Sequence, residues 1–540
     1  MSAGSYPTPR PQNEPVATYA AGTPERRAIV DALVRMQGQV VEIPCVIGGR
    51  RIFTGRVVEV TNPSAHGELL ARVHLAGPEE VEAAITAALE AKAAWAAMPV
   101  DARLAVFLKA AALLQGPWRA RVNAATMLGQ GKTVHQAEID AVCELVDFWK
   151  FNAHDVATIL AIQPPVSPDG VWNRMDHRPL DGFVFAVAPF NFTSIALNLS
   201  TAPTMLGNTV VWKPSLTSSR AVWELWQVLE EAGLPPGVIN LVHGHGADVG
   251  DRVLADPDLA GIHFTGSTAT FQSMWRTVGE RIHTYRQYPR LVGETGGKDF
   301  LLVHASADPD AVAVAAVRGA FEYQGQKCSA ASRMYVPADL WPRLRDRIAE
   351  ILAEVRMGDV RDMRCFVGPV IDERAWLRLS QALTLANAET EVIAGGGGDR
   401  SVGWFIEPTV CRTDDPHHRL MREELFGPLL TVYVYDPRRW REVLTLVDTT
   451  TPYALTGAVF ATDRGVLEEA STALRFAAGN LYLNDKPTGA VVGQQPFGGS
   501  RASGTNDKAG SVLNLLRWAS PRTIKETFHP PMDWRYPYMG

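Results

Sequence analysis

The chain has 540 residues, 46% apolar and 20% charged, which is ordinary globular usage and excludes bulk disorder or collagen. It exceeds the about 250–300 residues at which a single core stops growing, so several folding units are expected. Its net charge of −6 gives no general footprint for nucleic acid or an anionic membrane.

The longest apolar stretch, Ala311 to Val317, stops at Arg318, short of the about 18 residues of a membrane span. The five cysteines, Cys45, Cys143, Cys328, Cys365 and Cys411, form no C-x-x-C pair. They suggest neither a disulfide framework nor a structural zinc site, and point to a reducing compartment.

Residues 1–22 carry prolines at 7, 9, 11 and 15 and a glutamate at 14. With no continuous apolar stretch and no Arg-rich amphipathic pattern, they read as an irregular arm of a cytoplasmic protein. Thr23-Pro24-Glu25 sets an N-cap before proline and predicts a helix to about Gln37. Residues 40–60 predict two strands around Ile47-Gly48-Gly49-Arg50. Gly77-Pro78-Glu79 opens an Ala-rich helix to about Ala97, and long helical stretches follow near 101–115 and 118–160. Residues 163–181 contain four prolines and no helical period, which predicts an irregular segment or an extended flap.

From 182 onward, short apolar strands (182–188, 209–212, 238–242, 262–265) alternate with helices (195–207, 217–233, 246–255, and one from Ser267). Such βα units predict a parallel, doubly wound sheet whose strand C-termini line the ligand edge. A second α/β block runs from about 299 to 500, beginning at the strand Asp299–Val303. The tail 517–540 holds Trp534, Tyr536 and Tyr538 and is expected to dock on its own chain or on a partner subunit.

Four loops could carry chemistry. Gly325-Gln326-Lys327-Cys328-Ser329 places a cysteine in a polar setting, where a thiolate could act as nucleophile. Gly293-Glu294-Thr295-Gly296-Gly297-Lys298 places a carboxylate on a tight loop, as a general base or as a turn cap. Pro189-Phe190-Asn191-Phe192 follows a strand end, where an amide could donate to an oxyanion or cap a helix. Lys213-Pro214-Ser215 and Phe264-Thr265-Gly266-Ser267-Thr268 follow further strands, where a doubly wound sheet holds nucleotides. No G-x-G-x-x-G is present, so these residues alone indicate only a nucleotide-binding α/β enzyme.

Together these residues resemble the aldehyde dehydrogenase superfamily. P-F-N-F (189–192), W-K-P-S (212–215), F-T-G-S (264–267), E-T-G-G-K (294–298), G-Q-K-C (325–328) and E-E-L-F-G-P (423–428) occur in family order. Residues 321–333, 484–508 and 533–539 resemble more narrowly the branch acting on 1-pyrroline-5-carboxylate.

The resemblance implies an α/β fold with a doubly wound Rossmann-type NAD-binding domain, an α/β catalytic domain and a small β-flap for oligomerisation. The NAD-binding domain would comprise 1–162, 188–297 and a return at 502–516. The catalytic domain would span 298–501, with a flap at 163–187 and a tail at 517–540 crossing to a second subunit of a homodimer.

It further implies NAD-dependent oxidation of glutamate γ-semialdehyde to glutamate, the second step of proline catabolism. Cys328 would be the nucleophile, Glu294 the water-activating base and Asn191 an oxyanion donor. Ala188, Lys213, Ser215, Gly266, Ser267, Thr268, Ala269, Thr270, Glu424 and Phe426 would contact NAD. Phe192, Ser329, Gly489, Ala490 and Phe497 would contact the substrate.

Two departures stand out. Leu216 replaces an acidic residue often found three positions after the lysine, which weakens the case for NAD over NADP. Ala490 stands where close relatives carry serine, which predicts weaker substrate binding. The rival readings are an aldehyde dehydrogenase for another semialdehyde and a non-catalytic nucleotide-binding protein on the same fold. No nucleic acid, membrane or metal is expected.

Overall fold

Strands covered by helices on both faces are apolar along their whole length. In the computed structural model, which describes residues 8–540, Phe183–Val187 and Leu259–Thr265 are buried except at their last residue. The reading of residues 1–7 as part of an irregular arm lies outside the described residues.

The first sheet has seven strands in the order Arg290–Glu294, Leu259–Thr265, Phe183–Val187, Val210–Lys213, Ile239–Leu241, Cys45–Ile47, Arg50–Ile52. Its first five strands are mutually parallel. The hairpin around Gly48-Gly49 adds an antiparallel edge. Strand order reverses on either side of Phe183–Val187, so the C-terminal ends there form the crevice where such sheets hold ligands. Lys213, Thr265 and Glu294 close their strands at that edge.

The second sheet also has seven strands, ordered Glu391–Ala394, Thr409–Thr413, Leu429–Tyr435, Ala331–Pro337, Asp299–Val303, Thr456–Phe460, Asn480–Leu483. All neighbours are parallel except the first pair.

The helical stretch expected over 118–160 is broken. Arg119–Gln130 ends at Gly131 in the left-handed region, Val134–Ala137 is one turn, Glu138–Glu144 is π-helical, and Leu145–Leu160 completes the run. A π-turn adds a residue to the helical circuit and re-aims side chains, a device common at functional sites.

The arm has no regular structure over residues 8–22, yet it is tied down. Asn13 donates to Asp147 Oδ2 (2.8 Å) and to Val492 O (2.7 Å). Arg119 pairs with both Glu14 and Glu138.

The proline-containing segment forms a strand, Val171–Pro179, in a two-stranded antiparallel ribbon with Ala519–Thr527. A two-stranded ribbon is marginal alone. Beyond it, Trp534 and Tyr538 are 78% and 84% exposed, so the tail does not dock on its own chain as one expectation had it. Among the described residues no helix is long and apolar enough to cross a membrane.

Candidate active site

Glu294 closes the strand Arg290–Glu294, in register with Thr265. Its Oε2 accepts the Gly499 N–H at 2.9 Å. Burial pushes its carboxyl well above the usual range. The Gly499 N–H and the Lys508 charge pull the other way without prevailing. The following turn is pinned, since Thr295 N–H donates to Ser503 O at 2.8 Å and its hydroxyl to Ala502 O at 2.6 Å.

Cys328 lies on a loop of unusual backbone. Tyr323, Gln324 and Gly325 have φ of 50°, 56° and 65°, three consecutive left-handed residues after the helix Pro309–Phe321. Gly325 also meets Gly427 closely, and a Cβ there would stand 2.3 Å from the Gly427 carbonyl oxygen. The loop therefore abuts the segment carrying Glu424 and Phe426. Burial pushes the Cys328 thiol well up, and nearby Asp299, Glu424 and Glu294 push it further. Three carboxyl groups thus share one cleft with the thiol, and each disfavours its ionisation.

Asn191 is buried between the two sheets and donates through Nδ2 to Gln326 O at 3.0 Å. An amide nitrogen carries two hydrogens, so one remains for a second acceptor. A strand end of one sheet is thereby tied to the Cys328 loop of the other.

The crevice of the first sheet offers groups suited to a dinucleotide. Burial alone pushes the Lys213 ammonium down to about 8, with no carboxylate against it among the described residues. Gly266 packs against Phe264, whose ring atom would lie 2.7 Å from any Cβ, so glycine is required there. Ser267 caps the helix Thr268–Glu280 by accepting the Thr270 N–H. The first-turn N–H groups and the helix dipole favour a phosphate there.

Ala188 continues the strand and donates its N–H to Lys213 O, while Ser215 precedes the short 3₁₀ turn Leu216–Ser218. Ala269 and Thr270 are exposed on the first turn, and Thr268 donates to Ala502 O at 3.4 Å. Glu424 Oε1 accepts the Gly297 N–H at 3.0 Å, and Phe426, with φ 55°, packs edge-on to Phe190.

Residues 53–523 match the aldehyde dehydrogenase family. The delta-1-pyrroline-5-carboxylate dehydrogenase of Dictyostelium discoideum, a mitochondrial protein, is 48% identical over 535 residues, covering 98% of this chain and 96% of that one. The NAD-bound delta-pyrroline-5-carboxylate dehydrogenase of Mycobacterium tuberculosis superposes with a TM-score of 0.96 at 54% identity, covering all of both chains. A Thermus 1-pyrroline-5-carboxylate dehydrogenase with bound NAD gives 0.90 at 32% identity, covering 98% of this chain and all of that one.

The chain belongs to the aldehyde dehydrogenase family. In this aldehyde dehydrogenase, Ser329 Oγ and Thr488 Oγ1 meet at 2.8 Å, joining the Cys328 loop to the 488–490 loop. Lys486 Nζ donates to Thr488 O at 3.2 Å. Gly489 (φ 95°) and Ala490 follow, and Phe497 is held by a two-way backbone pair with Ala509. Phe192 precedes the helix Thr193–Met205.

Four side chains near this region were missed in the sequence: Lys132, Asp140, Glu144 and Lys486. Ser194 Oγ lies within hydrogen-bond distance of both Asp140 (2.7 Å) and Glu144 (2.8 Å), and its single proton serves one of them at a time. Burial, with Asp140 beside it, pushes the Glu144 carboxyl up to about 8. The π-turn that aims Asp140 and Glu144 has no periodicity signal, so sequence pattern could not reveal them.

Proposed function

We propose that this aldehyde dehydrogenase oxidises L-glutamate γ-semialdehyde, the open form of 1-pyrroline-5-carboxylate, to L-glutamate with NAD, the second step of proline catabolism. The substrate assignment is carried by the 2.8 Å contact between Ser329 and Thr488, which sets a donor-rich loop beside the nucleophile. The relatives reported above, at 48% and 54% identity across nearly the whole chain, are named for that substrate.

Cys328 attacks the aldehyde carbon once its thiol has lost its proton. The Asn191 amide and the Cys328 N–H stabilise the resulting thiohemiacetal oxyanion. One such donor is worth about 3–4 kcal/mol of barrier. NAD, held by Lys213, Ser215, the Gly266–Thr270 turn, Glu424 and Phe426, supplies the hydride acceptor that converts the thiohemiacetal to a thioester. Glu294 then takes a proton from the water that hydrolyses the thioester. This water step is what separates the reaction from acyl transfer to another thiol.

The Ser329 hydroxyl and the backbone N–H groups of Gly489 and Ala490 receive the α-carboxylate. Phe192 and Phe497 cover the aliphatic carbons. Leu216, in place of an acidic residue, leaves the adenosine ribose site without a group that repels a 2′-phosphate. NAD is nonetheless the cofactor bound in the Mycobacterium and Thermus structures. The ribbon of Val171–Pro179 with Ala519–Thr527, marginal alone and followed by exposed aromatic residues, supports a homodimer closed by flap and tail. We place the enzyme in the cytoplasm.

The test is NADH formation at 340 nm with pyrroline-5-carboxylate, for wild type and Cys328→Ala side by side. Turnover lost in the variant, with slow reaction of a plain aliphatic aldehyde in the wild type, is expected. Fast turnover of another aldehyde but none of pyrroline-5-carboxylate would overturn the substrate while keeping the mechanism.

A further inference from the structure

A buried ion pair lies behind the oxyanion site and touches both of its halves. Lys132 Nζ and Asp140 Oδ2 are 2.5 Å apart, and both side chains are essentially without solvent exposure. Asp140 Oδ2 also accepts the Thr193 N–H at 3.0 Å. Its Oδ1 accepts the Ser194 N–H at 2.9 Å and the Ser194 hydroxyl at 2.7 Å. These are the first two N–H groups of the helix Thr193–Met205, whose own N-cap residue, Phe192, offers no side-chain cap. A helix start leaves four such donors without intrahelical partners, and an acceptor for them fixes where the helix begins. The fixed point here is two residues past Asn191.

The other half is reached through Lys132. Its ammonium lies 4.6 Å from the centre of the Phe192 ring and 4.5 Å from that of Tyr323. Phe192 follows Asn191, and Tyr323 belongs to the left-handed loop that carries Cys328. Both rings contact the same cation, an interaction strengthened by its burial. Neighbouring groups tighten the same junction. Gln130 Nε2 donates to Thr193 Oγ1 at 2.9 Å, and Gln324 Nε2 donates to Gly131 O at 2.9 Å. Charge also matters. A lone carboxylate here would oppose an oxyanion forming nearby, and Lys132 neutralises it.

We propose that Lys132 and Asp140 are positioning residues for the oxyanion site: Asp140 fixes the segment carrying Asn191, and Lys132 clamps that segment to the nucleophile loop between Phe192 and Tyr323. The proposal rests on the reading of Asn191 as oxyanion donor.

The test is a double-mutant cycle of Lys132→Met with Asn191→Ala, read as kcat at saturating pyrroline-5-carboxylate. NAD affinity by protein fluorescence and the melting temperature are measured alongside. Asn191→Ala is expected to cost about 10²–10³ in kcat. Lys132→Met is expected to cost about tenfold or more with NAD affinity unchanged, because small misplacements at a reacting centre are expensive. Added to Asn191→Ala, it should cost little further, since it acts through that amide. Equal loss in both backgrounds, or full kcat in Lys132→Met, overturns the clamp. An Asn191→Ala enzyme at wild-type rate overturns the oxyanion reading itself and the clamp with it.

Should Lys132→Met fail to fold, Tyr323 decides. Its hydroxyl has no partner among the described residues, so only its ring can serve. Tyr323→Phe is expected to be silent, and Tyr323→Leu to lower kcat in the wild-type background but not with Asn191→Ala. Equal rates for Tyr323→Phe and Tyr323→Leu overturn the proposal.

Discussion

Glu294 and Cys328 serve one cleft, but different forces hold them there. Glu294 ends a regular strand whose partner, Thr265, lies directly opposite in the ladder. Its place is set by sheet register, and small changes in side-chain packing leave that register intact. Cys328 follows three residues with positive φ, held by contacts with Gly427, Gly131 and Pro369. Such backbone persists only where its surroundings over-determine it. Glu294, the proposed base, is placed by the fold as a whole, and Cys328, the proposed nucleophile, by a strained loop and what leans on it.

The sharpest break of this comparison comes from the base itself. Glu294→Gln keeps the shape and the strand but removes the proton acceptor, and thioester hydrolysis should slow by about 10²–10⁴. Its folded carboxyl is raised above the about 4.3 of an unfolded chain, so the protonated form favours folding. That contribution is complete below the unfolded value and is lost as pH rises toward the raised folded one. Glu294→Gln should therefore melt above wild type at pH 8, with the gap closing toward pH 4. Wild-type hydrolysis should climb with pH over the range where the variant stays flat. A variant that melts below wild type at pH 8 would show that Glu294 is not held against its charge.

The nucleophile side answers to backbone. Gly325→Ala forces a side chain onto φ 65° and sets its Cβ against a carbonyl oxygen that cannot rotate away. The strain is about 1–3 kcal/mol before the clash is counted. We expect kcat to fall by about 10²-fold, the scale of a 1 Å misplacement. The matched control is Val292→Ala in the strand of Glu294, where the lost side chain is buried. It should cost about 1.5–3 kcal/mol of stability and leave kcat nearly unchanged. Equal loss of kcat in both variants would erase the distinction between loop and strand.

This difference also decided what was legible. The strands around Val184, Val211 and Ile262 are buried on both faces and announce themselves as apolar runs, so the first sheet was readable except for its edge strand Arg290–Glu294, whose end the sequence suggested was a tight loop. Glu294, Cys328 and Asn191 were noticeable as candidates only because short motifs surround them. Lys132 and Asp140 were not, because nothing local marks a lysine whose partners lie at 140, 192 and 323. The stretch 118–160 misled for a related reason. Its helical composition persists through Gly131 and the π-turn, while tertiary demands redirect the backbone. The arm read as irregular because its order comes from hydrogen bonds to distant groups.

That arm offers a milder test. Asn13 donates to Asp147 and to Val492 O while accepting from Gln494, so one side chain joins a helix to the chain just past residue 490. Asn13→Ala should loosen the 488–495 loop and raise the KM for pyrroline-5-carboxylate about fivefold, equivalent to about 1 kcal/mol. Propanal, with no carboxylate to anchor, should be oxidised as before. A parallel loss with both aldehydes would assign Asn13 to general stability.

The smallest expected effect is a gain. Ala490 is half-buried beside Gly489, and the neighbouring hydroxyls of Ser329 and Thr488 already engage each other. Ala490→Ser adds one donor where the α-carboxylate is proposed to bind and leaves the backbone N–H groups intact. A hydrogen bond to a charged group contributes about 1.5–3 kcal/mol at best, and a partly solvated one contributes less. The KM for pyrroline-5-carboxylate should therefore fall about threefold, with kcat and the rate on propanal unchanged. Because the change adds an interaction rather than removing one, misfolding cannot imitate success. An unchanged KM would detach the carboxylate from the 488–490 loop and leave Ser329 alone to hold it.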